Sequence, residues 1–293
     1  MTAVVDEKAV AGAAARRTRR GPAVLRQPGL ALSLFVLLLV LLWAVRPAWF
    51  AGHGPFEADP VHRLLPPGGD HWFGTDHLGR DVFARVVYGT SASLRAALLA
   101  VAVGLLAGTV LGAVAGTVGG WLDGAVMRCV DVLLALPGLL LSLAVVSALG
   151  FGTVQVAVAV GVSGVAGIAR VSRAEVLRVR SADYVAAARL AGVRPGAVLL
   201  RHILPNSAAP VLVLAALEFG TSVLNVAALD FLGFGAPPPQ PEWGALIAAG
   251  RDYLATAWWL TTLPGLVLAG VILAANRAGR ALEREDRDDH GDR

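Results

Sequence analysis

The chain has 293 residues, 56% of them hydrophobic and 16% charged, with a mean hydropathy of +0.66. Soluble domains carry about a quarter charged residues, so this composition excludes an ordinary water-soluble fold and calls for surrounding lipid. The net charge of +4 does not point to nucleic acid: the arginines cluster beside apolar runs, and no basic patch is interleaved with aromatics.

A helical span needs about 20 mainly apolar residues to cross a hydrocarbon core of about 30 Å. Six stretches meet that length: 29–50, 93–118, 125–149, 151–170, 207–229 and 256–275. Residues 1–27, with Arg16, Arg17, Arg19 and Arg20, are expected to form a flexible cytosolic tail before the first span. Trp43 and Trp49 close that span and Trp258 and Trp259 open the sixth, while Trp121 marks the inner end of the second, as interfacial tryptophans do.

The loop 51–92 is long. Thr75 or Asp76 is expected to cap a short interfacial helix whose apolar face is Leu78, Val82, Phe83, Val86 and Val87. His53, His62, His71 and His77 lie in the same loop at spacings of nine, nine and six, which match no compact ligand pattern. No metal site is expected there.

The second span carries Gly104, Gly108, Gly112, Gly116 and Gly120 at intervals of four, a side-chain-free stripe that lets another backbone approach closely. Gly161, Gly164 and Gly167 offer a similar face on the fourth. In the third span Pro137 predicts a kink, Arg128 and Asp131 interrupt the apolar run, and Cys129, the single cysteine, reads as an inert packed thiol. In the fifth, Glu218, Asn225 and Asp230 are the candidate pathway residues, because an ionisable group inside a membrane usually faces the bundle interior or a wet cavity. A structural hydrogen bond to a neighbouring helix is the competing role for Glu218. Beyond the sixth span, Glu283–Arg293 is almost wholly charged and is expected to be a flexible tail.

Orientation follows from Lys and Arg. With the N-terminus inside, the inner segments hold 6, 1, 7 and 5 of the 25 such residues and the outer loops 5 and 1, so both termini are expected to be cytoplasmic. The segment 171–206 is then a cytoplasmic loop. Ser181 or Asp183 starts a helix through Ala186, Ala187 and Ala188, Gly192 breaks it, and Pro195 begins a second. A helical pair projecting into water calls for a docking partner.

The stretch Asp183-Tyr184-Val185-Ala186-Ala187-Ala188, then Gly192, then Leu204-Pro205, resembles the coupling loop of binding-protein-dependent ABC importer permeases. Phe73-Gly74-Thr75-Asp76-His77-Leu78-Gly79-Arg80-Asp81, Phe231-Leu232-Gly233-Phe234-Gly235, Pro241-Glu242-Trp243-Gly244 and Gly250-Arg251-Asp252-Tyr253-Leu254 narrow the likeness to its dipeptide, oligopeptide and nickel branch, second permease type. The sequence departs at Ala186, where the family usually has Glu, and at Val226, where Glu is frequent.

The resemblance implies an all-α integral membrane fold, six transmembrane helices of the ABC type I importer permease kind, in a bacterial cytoplasmic membrane. It implies a tail 1–27, a first helix and outer loop 28–92, a core 93–276 holding the coupling loop 171–206, and a charged tail 277–293. Ala186, Ala187, Ala188, Gly192, Leu204 and Pro205 would couple to ATPase subunits. The partners implied are a second homologous permease, two ATP-binding subunits, and an extracytoplasmic binding protein that delivers a peptide. Nickel or another small solute is the alternative cargo.

The chain itself is expected to bind no ATP. A phosphate-binding loop needs Gly-Lys-Ser/Thr, and the single lysine, Lys8, follows Glu7. Neither Gly-x-Ser-x-Gly nor His-Glu-x-x-His occurs, so no catalytic residues are expected. ATP and Mg would sit on the partners.

Overall fold

The computed structural model describes residues 28–291. The expected tail 1–27 lies outside them. Among the described residues there are ten α-helices and no β-sheet: α1 (Pro28–Val45), α2 (Val82–Val118), α3 (Gly120–Leu134), α4 (Gly138–Leu149), α5 (Thr153–Arg180), α6 (Asp183–Leu190), α7 (Pro195–Val198), α8 (Leu204–Phe231), α9 (Trp243–Gly250) and α10 (Trp259–Gly291).

Five helical stretches are long and apolar enough to cross a membrane unaided: α1, α2, α5, the continuous run from α7 through α8, and α10. The sixth crossing is broken. Helices α3 and α4 meet at 98° around Ala135–Pro137, where Pro137 supplies no backbone donor and disfavours helical geometry in the residue before it. The pair still joins the two ends of the bundle. Its start lies beside Arg180 at the end of α5, while Gly152, just past its far end, donates to the Phe234 carbonyl at 2.8 Å.

The expected interfacial helix is not separate. Its apolar residues Val82, Phe83, Val86 and Val87 form the first turns of α2, which runs 37 residues without interruption. At 1.5 Å per residue this is about 55 Å, longer than the hydrocarbon core, so one end projects. The N-cap is Asp81, whose Oδ1 accepts from the Ala84 N–H at 2.6 Å; Thr75 and Asp76 instead organise the preceding turn. The boundary expected at 92/93 therefore falls inside a helix. So does that at 276/277, because α10 continues to Gly291 through a segment expected to be flexible. Glu, Arg, Ala and Leu in that segment are good helix formers, and no Pro or Gly interrupts it between Gly279 and Gly291.

The α2–α5 pair is the spine of the molecule. A side-chain carbon at Gly108 would lie 2.8 Å from the Val165 carbonyl, and one at Gly112 would strike the Ala169 carbonyl. Gly104 and Gly116 face Gly161 and Val176 in the same way. Gly120 does not belong to this stripe: the helix ends at Val118, and Gly119 and Gly120 turn the chain with φ of 72° and 63°. On α5 only Gly161 is crowded, against the Ala100 carbonyl, while Gly164 and Gly167 face open space.

Helix α3 is tied to α5 by polar contacts: Arg173 grips Asp123 with two bonds of 2.5 and 2.6 Å, and Arg170 pairs with Asp131. Val130, with Val126, Met127 and Leu133, packs on Ala166 and Ala169. Cys129 points away from that seam and is exposed, contrary to the packed thiol expected. Cys129 is turned about 100° around the helix from Val130, the buried residue of that seam. Trp49, Trp121 and Trp258 are exposed as expected of an interfacial belt, but Trp43 and Trp259 turn inward into the core. Many large apolar side chains stay exposed, such as Phe35, Leu38, Leu106 and Val110, as lipid-facing or subunit-facing surfaces require.

Trp243 is the largest fully buried side chain, and it fixes α9 against α2: its backbone N–H donates to Ser93 Oγ and its indole N–H to the Val86 carbonyl, both at 3.1 Å. Trp243→Ala should therefore lower stability by about 3–5 kcal/mol through the cavity it leaves. Thermal unfolding in detergent measures this, and an unchanged midpoint would show that α9 is not a structural wedge.

Candidate functional site

The helical hairpin 183–203 is built by local sequence signals. Asp183 opens α6 and Arg189 closes it, each placed to complement the helix dipole. Gly192 adopts φ of +79°, its N–H donates to the Arg189 carbonyl at 3.0 Å, and the Val193 N–H reaches the Ala188 carbonyl at 3.2 Å. This is a Schellman stop, and a left-handed residue at that place is best supplied by glycine. Pro195 opens α7 at its first position, where no amide donor is missed. Leu199–Ile203 then form a π turn, which makes room for Pro205 in the first turn of α8. Leu204 and Pro205 thus begin the spanning helix, where the sequence placed them at the close of a loop.

One face of the hairpin is sealed to the bundle. Val185, Val198 and Ile203 are buried with Ala113, Val176 and Val179, at the C-terminal ends of α2 and α5. Arg180 reinforces the junction by donating to the Gly116 and Thr117 carbonyls at 3.0 and 2.8 Å, the free carbonyls of the last turn of α2. The other face is open. Ala186, Ala187, Gly192 and Tyr184 are exposed, and Leu190 is 90% exposed at the tip; Ala188 is half-buried. The hairpin thus presents a mixed surface, in which Asp183, Arg189, Arg194 and Arg201 accompany the exposed alanines and Leu190, while its other face is anchored to the two spine helices.

The loop 51–81 and α9 gather at the end of the bundle opposite the hairpin. Asp76 Oδ1 accepts from the Leu78 and Arg80 amides at 2.8 and 3.0 Å, and its Oδ2 pairs with Arg80 at 2.7 Å. Thr75 Oγ1 donates to the His62 carbonyl and accepts from the Leu65 N–H. Gly74 and Gly79 both have positive φ, of 71° and 79°, and Asp59 backbone lies where a side chain at Gly79 would go. The Phe73–Asp81 motif is therefore a folded turn whose residue types follow from its hydrogen bonds.

The three candidate pathway residues do not converge. Glu218 and Asn225, seven residues apart, share a face of α8, and both are half-buried with no hydrogen bond or ion pair to another described residue. Gly220, by contrast, faces Asn276 of α10, so Glu218 points to roughly the other side of the helix. Asp230 lies on neither line. It is buried beside Glu242, a residue that sequence reasoning did not single out as polar machinery. Glu242 is 1% exposed, accepts from the Thr153 hydroxyl and takes the Ala236 N–H at 3.0 Å. A side chain at Gly235 would lie 2.6 Å from both carboxylates, and Asp230 Oδ1 has no partner among the described residues. An acidic residue next to a tryptophan in an apolar stretch was the available signal. A cleft of about 900 Å³ opens there between Asp230 and the guanidinium-bearing residues Arg80 and Arg85.

The histidines of the loop 51–81 separate into two groups. His62 bonds to Asp59 at 2.7 Å, holding that carboxyl below its ordinary range, and His77 stacks on Tyr253. His53 and His71 come together instead, with ring centroids 5.0 Å apart, so chain spacing concealed a spatial pair.

Residues 108–287 match the model of the family described as binding-protein-dependent transport system inner membrane component. The dipeptide transport system permease protein of Alkalihalophilus pseudofirmus is 38% identical over 249 residues, 85% of this chain and 82% of that protein. The di/tripeptide permease of Pseudomonas aeruginosa is 39% identical, over 85% and 84% of the two chains. A glutathione transport system permease of Shigella flexneri is 42% identical over 85% and 82%. A crystal structure of an amino acid ABC transporter with histidines shares the fold, with a TM-score of 0.53 at 16% identity, covering 69% of this chain and 94% of that one. With the family model spanning more than half of the sequence and these relatives aligned along most of it, this chain belongs to the binding-protein-dependent transport system inner membrane component family.

Proposed function

We propose that this chain is one of two permease subunits of an ABC importer for peptides, driven by separate ATPase subunits that dock on the hairpin 183–203. The observation that carries the reading is the hairpin itself, with one face buried against the ends of α2 and α5 and the other exposed, where small residues, Leu190, Arg189, Arg194 and Arg201 are open to a partner. A push on it would reach the spine helices through Arg180 and the buried valines, which tie it to the ends of α2 and α5. The hairpin side is the cytoplasm on the arginine count, and the described ends of α1 and α10 both point toward that side: Gly29 lies against Arg277. Both termini are then cytoplasmic, and the outer loop with its cleft faces a binding protein. The names of the relatives support a peptide cargo.

The exposed faces of α1, α4 and α8 suit lipid and a second, homologous permease. Glu218 and Asn225, on a face of α8 without a described partner, would line the path between the two. Alternating access follows as a shift between two packings of the bundle, biased by the ATPase pair.

Peptide uptake in a strain lacking this chain tests the reading: labelled dipeptide accumulation returns on complementation, while uptake of nickel with no peptide uptake would replace the cargo. Glu218→Ala is expected to lower uptake well below the level set by complex assembly. Equal loss of uptake and of co-purified subunits would make Glu218 a structural residue.

A further inference from the structure

We infer that His53, His71 and Asp81 form a binding site for a divalent transition-metal ion of the zinc class, resident on the outer loop and serving as a clamp. Each of these residues offers a ligand atom, and the three atoms lie within 4.8 Å of one another. Imidazole nitrogens with a carboxylate oxygen are the donor set preferred by zinc and its neighbours, rather than by calcium or magnesium.

Two of the three are already placed. Asp81 is buried, its Oδ1 committed to the α2 N-cap at 2.6 Å, and its Oδ2 bonds His71 Nδ1 at 2.8 Å. That contact holds the His71 ring and the Asp81 carboxylate side by side, and a cation binding both would replace the proton they share. The third is adjustable. His53 is exposed, and it sits between Gly52 and Gly54. Donors around a tetrahedral zinc stand about 3.3 Å apart, given zinc–nitrogen bonds of about 2.0–2.1 Å. Closing the gap needs a shift of up to about 1.5 Å, which the two glycines flanking His53 permit.

The consequence is mechanical. Residue 53 lies eight residues past the end of α1, and Asp81 caps α2. An ion held between them braces the whole connection between the first two spanning helices, next to the cleft at Arg80 and Arg85. His62 and His77 are engaged elsewhere and are not part of the site. The inference is independent of the nature of the transported solute.

The test uses the full chain, solubilised with whatever subunits accompany it and stripped by a chelator. Zn²⁺ is titrated against a chromophoric competitor, and Co²⁺ absorption reports the ligand field. The wild type is expected to bind one ion that His53→Ala and His71→Ala lose, each by more than the roughly 10–100-fold that loss of an outer partner costs. Asp81→Asn keeps a capping oxygen, since Asn caps as well as Asp, and is expected to weaken binding at least about 10-fold. His62→Ala binds as the wild type does. Zinc is also expected to raise the unfolding temperature of the wild type and not of His53→Ala. The proposal is overturned if the wild type binds zinc no more tightly than His53→Ala, or if His62→Ala loses the ion equally.

Discussion

Replacing Gly192 with proline is expected to strip ATPase subunits from the purified complex and abolish uptake, while leaving the chain inserted in the membrane. Gly192 holds φ at +79°, and its N–H closes the end of α6 on the Arg189 carbonyl. Proline fixes φ near −65° and has no N–H, so both features are lost together. The proline ring cannot reach that φ at all, so the stop must rearrange rather than strain. The hairpin has few buried anchors with which to resist, namely Val185, Val198 and Ile203, so α6 swings rather than staying strained. The spanning helices are untouched, which is why insertion survives. Leu190→Asp refines the test, because at 90% exposure it disturbs no packing in this chain and alters the docking face alone. Pull-down of a tagged permease reads both. Retention of ATPase by both variants would move the docking surface elsewhere.

Gly112→Leu is expected to do the opposite: the hairpin keeps its local shape, but the molecule loses its spine. A first side-chain carbon at Gly112 meets the Ala169 carbonyl, and it would lie 2.7 Å from Ser172 Cβ and 2.8 Å from the Arg173 nitrogen. Two of these three atoms are backbone, which cannot rotate away. The helices must separate, and overpacking of this kind costs about 1–3 kcal/mol or more. Because the two helices touch along a row of glycines, separation at one forfeits close contact at its neighbours Gly108 and Gly116 as well. The measured result should be a lower unfolding temperature in detergent, poor recovery of folded protein and no uptake. Gly167→Leu is the control, since nothing lies within 4 Å of that site in this chain. An unfolding temperature for Gly112→Leu equal to that of the wild type would refute the close α2–α5 contact.

The two variants separate two parts of one structural unit. The glycine stripe sets how closely α2 and α5 run, and the hairpin seals their shared end. Arg180 joins the parts through the last carbonyls of α2. Asp123 and Arg173 add a bidentate tie between α5 and α3, the first half of the broken span.

Local sequence determined the features whose physics is local. Apolar run length marked the spans, Pro137 marked the break in the third, and Gly192 with Pro195 marked the stop and restart of the hairpin. A positive φ or a missing amide constrains a residue regardless of its distant neighbours. The glycine interval of four was also legible, because helical periodicity alone puts 104, 108, 112 and 116 on one face, although it did not say that the helix would end before Gly120.

What only the tertiary structure decided was which residues meet. The interfacial helix merged with the second span because Asp81, not Thr75 or Asp76, took the capping role once the loop had folded around Asp76. Glu242 came to lie beside Asp230, and His53 beside His71, across separations that no spacing rule reports. Such contacts depend on where the chain returns after a turn, and the free energy that chooses the return path is summed over the packing of the whole bundle rather than written in any one segment.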